Sequence, residues 1–319
     1  MNTMKHHQFD GGDRMPLLGL GTWKSAPGEV GAAVRCALDL GYRHFDCAAI
    51  YGNEREIGDA FRDAFDAGVV ERDELWVTSK LWCNRHREED VALAARESIE
   101  ALGVEYLDLY LVHWPVAVRF DVVGPASAED FLSLEDVPLE ETWAGMVAAR
   151  ELGLARHVGV SNYNLQRLEH HATLGVAPEV NQVELHPYLQ QRALVEGARS
   201  LGMLTTAYSP LGSSDRPETM KGEDEPVLLR DETVAAVAEE VGATPAQVLI
   251  AWAMQRGTAV IPKSVDPGRL AQNLAAASLS LTAGQVQRID GLERSFRYVT
   301  GTFWERAGGP YPAAELWGD

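Results

Sequence analysis

Cysteine is scarce. The 319-residue chain holds three, Cys36, Cys47 and Cys83, with no CxxC pair among them. That excludes a disulfide framework and a thiolate zinc site, and it fits a reducing cytoplasm. All three are read as small buried apolar groups, the usual state of a free cysteine, although Cys47 beside Asp46 and Cys83 beside Trp82 are placed to reach a pocket. No apolar run approaches the ~18 residues of a membrane span. The N-terminal MNTMKHHQFDGGDR has no apolar segment of a secretory signal. Basic residues are in deficit: 28 Lys and Arg against 47 Asp and Glu leave a net charge of -19, which disfavours nucleic acid or an anionic membrane as a partner. No stretch is of low complexity and none marks a second unit, so residues 1–319 are read as a single domain. A dinucleotide fingerprint is lacking too. Gly19-Leu20-Gly21-Thr22-Trp23-Lys24 opens like one, but the third glycine position is Lys24 and no helix follows directly. Gly19 and Gly21 are expected instead to thin the first strand so that a ligand or neighbouring backbone can approach.

What is present is a steady beat. Hydrophobic residues at 46% and charged residues at 24% describe a globular protein with a large core. The opening HQFDGGDRMP has Gly-Gly between two polar-apolar segments and reads as a hairpin, with His6 and His7 on an exposed strand. Eight short β-rich runs follow: LLGLGTW, HFDCAA, LWVTSK, YLDLYLVHW, ARHVGVS, EVNQVEL, LTTAYSP and TAVIPKS. Amphipathic helical segments lie between them, many closing on Leu-Gly or Ala-Gly, the expected glycine past a helix C-terminus. Thr244, Pro245 and Gln247 fit the N-cap, first and third positions of a capping box. Alternating strands and helices imply parallel strands with right-handed crossovers. The fold class is therefore α/β, a (β/α)8 TIM barrel with an N-terminal hairpin and its chemistry at the C-terminal strand ends; a doubly wound open sheet is the competitor. Three stretches break the beat, Pro115 to Pro138, Leu211 to Pro226 and the tail from Arg297, and are read as lid and substrate loops at that mouth.

Polar groups of one chemistry recur at successive strand exits. GYRHFDCAAIYGNEREIG carries Asp46 at the end of a strand read over His44 to Ala48, with Tyr51 five residues on. WVTSK ends in Lys80, and YLDLYLVHW ends in His113 and Trp114. A phenol is a weak acid, with an ordinary pKa of about 10. A lysine cation within ~4–6 Å favours phenolate and lowers that value. Asp46 would keep Lys80 charged, and a neutral His113 would donate to a substrate oxygen. Such a set suits protonation of an oxygen that gains negative charge as a hydride reaches its carbon.

GYRHFDCAAIYGNEREIG, LGVEYLDLYLVHWP and IPKSVDPGRLAQN resemble the three signature segments of the aldo-keto reductase family, in family order and at family-like spacings over nearly the whole chain. The resemblance implies Tyr51 as general acid, Lys80 and Asp46 as its partners, and His113 as the residue that orients the carbonyl. It implies a nicotinamide cofactor, NADPH (NADP+), lying across the barrel mouth. Gly21, Thr22 and Trp23 line its path. Ser161, Asn162 and Gln182 hold the carboxamide, and Tyr208 stacks on the nicotinamide ring. Ser209, Leu211 and Asp215 run along the pyrophosphate. Lys263, Ser264 and Arg269 meet a 2′-phosphate, and Gln272 and Asn273 lie beside the adenine. No metal is called for, and family analogy implies a monomer.

Two positions depart from the family pattern. Asp266 places a carboxylate near the 2′-phosphate, which weakens the preference for NADPH and leaves NADH open as a second cofactor. Gln272 replaces a glutamate beside the adenine. Trp23, Trp82, Trp114 and Trp304, with Phe303, are expected to wall an apolar substrate funnel. The expected activity is NAD(P)H-dependent reduction of aldehydes and some ketones to alcohols. Alternatives are a cofactor-binding sensor subunit without turnover and a barrel aldolase or isomerase using Lys80 as a Schiff base.

Overall fold

In the computed structural model, which describes residues 4–318, the alternation closes into a barrel. Residues 1–3 of the N-terminal segment and residue 319 lie outside the described residues. The hairpin pairs β1 (His6–Gln8) with β2 (Arg14–Pro16), and Phe9 just after β1 stacks on Trp76 and His157. The barrel then runs β3 (Leu20–Gly21), α1 (Glu29–Leu40), β4 (His44–Asp46), α2 (Glu54–Asp66), β5 (Trp76–Leu81), α3 (Glu88–Leu102) and β6 (Leu107–Val112). A short antiparallel ladder follows, β7 (Ala117–Val118) with β8 (Phe131–Leu132), inside the first long excursion. The alternation resumes with α4 (Leu139–Glu151), β9 (Ala155–Ser161), α5 (Leu165–His171), β10 (Val180–Glu184), α6 (Arg192–Ser200) and β11 (Leu204–Tyr208). Helices α7 (Glu232–Val241) and α8 (Pro245–Gln255) precede the last strand, β12 (Ala259–Val260). Beyond it come α9 (Pro267–Ala275), α10 (Ala283–Asp290) and α11 (Ala313–Trp317).

The eight barrel strands are parallel, in the order β12-β11-β10-β9-β6-β5-β4-β3. The two outer strands meet through Leu18–Val260 and Gly21–Lys263 bridges, with the Val260 amide donating to the Leu17 carbonyl at 2.7 Å. Closure removes the exposed sheet edges. Both closing strands are only two residues long, much shorter than LLGLGTW and TAVIPKS predict. Pro262, just past β12, lacks an amide donor, so the regular ladder fails beyond it. Gly21 sits at this seam for a steric reason: a Cβ there would lie 2.6 Å from the Ile261 carbonyl oxygen. At Gly19 the obstacle is the His44 ring at 2.7 Å. The approach that thins this wall is therefore made by the protein's own groups.

The helices pack as their periodicity directs. In α1, Val30, Val34, Ala37 and Leu38 are buried at one-face spacing. Gly41 then takes a left-handed conformation (φ 101°) and returns its amide to Ala37 and Leu38. Thr244 and Gln247 form the reciprocal capping box at the start of α8. Cys47 and Cys83 are buried, but Cys36 on α1 is only partly so. Among the described residues, no single helix is long and apolar enough to cross a membrane.

Candidate active site

At the C-terminal ends of the strands lies a cavity of about 770 Å³, within the size range of ligand sites. Asp46 is the last residue of β4, and its backbone oxygen accepts from the Thr22 amide and hydroxyl. Asp46 pairs in register with Thr78 on β5. Lys80 stands two residues further on and so points to the same side. Beyond β4 the chain makes one 3₁₀ turn, Ala49–Tyr51, ended by Gly52 at φ 67°. That turn brings the phenol back over the lysine. Asn53 donates to the Thr22 carbonyl, and buried Glu54 accepts from Ser79 and Ser98, so the loop is fastened on both sides. Strand β4 is thus two residues shorter than the expected His44 to Ala48.

Lys80 is fully buried, and its ammonium donates to three acceptors: Asp46 Oδ2 at 2.7 Å, the Cys47 carbonyl at 2.8 Å and the Tyr51 hydroxyl at 3.3 Å. Burial draws an ammonium down, but Asp46 and Tyr51 outweigh it and raise Lys80 to about 12. The Tyr51 phenol is also pushed up, to about 12. Its own burial is the main cause, reinforced by Asp46, and Lys80 only partly offsets it. The acidified phenol expected from the lysine's proximity is therefore absent from this structure. Tyr51 stands protonated at neutral pH.

His113 follows β6 directly, its ring edge-on to Tyr51 at 5.8 Å and to Trp82 at 5.2 Å. Burial and the Lys80 charge hold it well below the ordinary histidine value, so the ring is neutral. Its Nδ1 is buried with no partner among the described residues. Asn162 Nδ2 donates to the His113 carbonyl at 2.9 Å and to Ser161 Oγ, while Tyr208 donates to Asn162 Oδ1 at 2.8 Å. Ser161 Oγ donates to the Gln182 carbonyl, and Gln182 Nε2 donates to Asp46 Oδ1 at 2.7 Å. Ser161, Asn162, Gln182 and Tyr208 thus form one network with Asp46, Lys80, Tyr51 and His113, a link the sequence motifs did not reveal. Asn162 and Ser209 both hold positive φ, 63° and 48°. Such strain collects where a binding surface dictates the backbone.

From this end the cavity extends to Lys263, Ser264, Arg269, Gln272 and Asn273, and Gly21, Thr22, Trp23, Ser209, Leu211 and Asp215 also line it. Lys24, noticed in the sequence only as a missing glycine, donates to Asp215 at 2.7 Å and to Ser213 at 3.1 Å. It thereby joins the loop after β3 to the loop after β11. Lys263 approaches the same carboxylate only to 4.0 Å. Asp266 caps α9, accepting from the Arg269 amide at 2.8 Å, so its side chain has a structural task beside the cations. A long cavity with a neutral hydrogen-bonding end and a cationic end fits a dinucleotide whose neutral ring and phosphates occupy opposite ends. Among the described residues no group of His, Cys, Asp and Glu is placed to hold a metal ion.

Trp23, Trp82, Trp114 and Phe303 line the cavity beside Tyr51, with Val299 and Ile50. Trp304 does not line it. Its ring is 3% exposed and packs behind Trp82 and Trp114, at 5.6 and 5.9 Å. The excursion after β6 also stays outside the lining and buttresses it, the Val123 carbonyl accepting from Trp82 Nε1. The loop after β11 and the tail do contribute wall residues, Met220 from the first and Val299 and Phe303 from the second.

Residues 17–294 match the Aldo/keto reductase family. A Synechocystis sp. protein described as an aldo/keto reductase is 52% identical over 318 residues, covering 99% of this chain and 97% of the relative. Aldo-keto reductase family 1 member A1 of Rattus norvegicus and of Homo sapiens are each 45% identical over 291 residues, 90% of this chain and 89% of theirs.

Proposed function

Because the chain belongs to the aldo/keto reductase family, whose members use nicotinamide cofactors, we propose that it reduces aldehydes and some ketones to alcohols with NADPH, Tyr51 delivering the proton. The observation that carries this reading is the chain Asp46–Lys80–Tyr51, held at 2.7 and 3.3 Å, with its ion pair buried and its half-buried phenol opening into the cavity beside neutral His113. When bound, the reduced nicotinamide is a hydride donor. His113 donates to the carbonyl oxygen and sets the face it presents. The Tyr51 hydroxyl gives its proton to that oxygen as negative charge gathers there, and Lys80, already donating to Tyr51, stabilises the phenolate left behind. A protonated phenol is the correct starting state for this direction. Asp46 keeps the ammonium charged and aimed, and Gln182 fixes the other carboxylate oxygen.

Lys263 and Arg269 are assigned to the 2′-phosphate and favour NADPH over NADH. The carboxylate of Asp266 opposes them, but it is engaged at the start of α9, accepting from the Arg269 amide, and two cations outnumber it, so NADPH remains preferred. Trp23, Trp82, Trp114 and Phe303 make an apolar wall, which points to aromatic or medium-chain aldehydes. A steady-state screen of aldehydes and ketones with both cofactors tests the assignment. Higher kcat/KM with NADPH on apolar aldehydes supports it, and equal values for the two cofactors would sink the cofactor preference.

A further inference from the structure

Gln182 and Glu184 lie two residues apart on β10, so both side chains leave the same face of the strand. Gln182 reaches Asp46. Glu184, fully buried, reaches the C-terminal segment. Its Oε1 accepts from the Tyr298 amide at 2.7 Å and contacts His186 Nε2 at 2.8 Å, and its Oε2 accepts from the Val299 amide at 2.7 Å. Burial alone would push this carboxyl up, but His186, Arg297 and the Tyr298 amide overcome it and leave it below its ordinary value. It is an anion at neutral pH. A buried anion is tolerated only where donors surround it, and here two of those donors are consecutive backbone amides of the tail. Nothing in the proton transfer uses this carboxylate.

The two residues it holds have separate tasks. Val299 lines the cavity and packs with Trp114 and Trp304. Tyr298 lies beneath the Arg216 guanidinium at 5.2 Å and donates through its hydroxyl to the Pro226 carbonyl at 2.7 Å, so it also fastens the loop after β11. Further along the tail, Trp317 Nε1 donates to the Thr300 carbonyl at 2.7 Å and Arg167 to the Leu316 carbonyl at 2.6 Å. The tail is therefore pinned on both sides of Phe303.

We propose that Glu184 is a positioning residue for substrate selection: through the Tyr298 and Val299 amides it fixes the wall made by Val299 and Phe303 against Trp114, and so sets how large a carbonyl compound the site accepts firmly. This rests on the reductase reading. Small aldehydes touch Tyr51 and His113 without leaning on that wall, whereas bicyclic aromatic aldehydes depend on it.

The test is Glu184→Gln in the full chain, since an amide offers one acceptor oxygen where two amides need two. KM for naphthaldehyde rises about tenfold or more, while kcat and KM for propanal stay within about threefold of the parent. Hydrogen exchange at Tyr298 and Val299 accelerates by about tenfold or more. Equal losses on both aldehydes, or unchanged exchange at the two amides, would overturn the inference. Exchange needs no turnover, so it separates failure of this inference from failure of the reductase reading. Should the variant not fold, the parent protein decides: Tyr298 and Val299 amides must exchange far more slowly than that of exposed Thr300, and comparable rates contradict the proposal.

Discussion

The Lys80 ammonium lies 3.3 Å from the Tyr51 hydroxyl and donates to it, yet this phenol holds its proton more tightly than a phenol in water. Proximity to a cation is one effect of the site; depth is another, and at Tyr51 depth wins. The cation limits the rise, and in the proposed mechanism it stabilises the phenolate once the proton has left. The pH behaviour follows from this. In the proposed reduction, neutral phenol is the competent form and persists up to about pH 12, while His113 is neutral throughout because its own value is well below 6.5. Reduction measured as kcat/KM is therefore flat between pH 6.5 and pH 10 as far as these two groups are concerned. Alcohol oxidation needs the phenolate and climbs with pH across the same window. A reduction profile that breaks near neutrality would show an acidified Tyr51.

Removing Lys80 alone strands a buried carboxylate. Lys80→Met is expected to destabilise the fold by ~3–5 kcal/mol, because breaking one half of a buried pair leaves the other charge unpaired. Combining it with Asp46→Asn removes that charge, and at least half of the loss should return. Denaturant titration of the two single variants and the double variant checks this. Additive losses would mean the two residues do not act as a pair.

The proposed cofactor choice turns on residues 263–269. Lys263→Ala is expected to weaken NADPH by about tenfold or more while leaving NADH within about twofold, since only one of the two carries the 2′-phosphate. Asp266→Asn keeps the helix cap, removes the opposing charge and sharpens the preference for NADPH. Asp266→Ala loses the cap as well, at about 1 kcal/mol. Fluorescence titration with each nucleotide and thermal unfolding separate these outcomes. An unchanged NADPH affinity in Lys263→Ala contradicts the assignment.

The barrel seam is tested at Gly21. Gly21→Ala sets a methyl group 2.6 Å from a backbone oxygen that cannot swing away. A cost of about 1–3 kcal/mol in chemical denaturation is expected from such overpacking. A neutral substitution would mean that β3 and β12 close less tightly than described.

Much of this was legible in the amino-acid order. Eight β-rich runs, the hairpin at Gly11-Gly12 and the capping box at Thr244 correspond to real elements, because each rests on local pattern. Asp46, Tyr51, Lys80 and His113 could be placed together because each lies at or just past the end of a strand, and parallel strands in a barrel bring such positions to one mouth. What escaped was set by depth and by contacts far apart in sequence. The direction of the Tyr51 shift depends on how far the barrel mouth encloses it, and charges near it in sequence do not report that. Trp304 looked like a wall residue, but the rings of Trp82 and Trp114 stand in front of it. The Gln182–Asp46 bond spans 136 residues and leaves no local trace.

The most direct measurement is a single turnover of protein loaded with NADPH and mixed with an aromatic aldehyde. The account predicts stoichiometric loss of the reduced-nicotinamide absorbance with one alcohol formed per cofactor, and a fall of about 10²–10⁴-fold in that rate for Tyr51→Phe with nucleotide affinity unchanged. Bound NADPH that persists in the presence of aldehyde, or a Tyr51→Phe variant as fast as the parent, would contradict it.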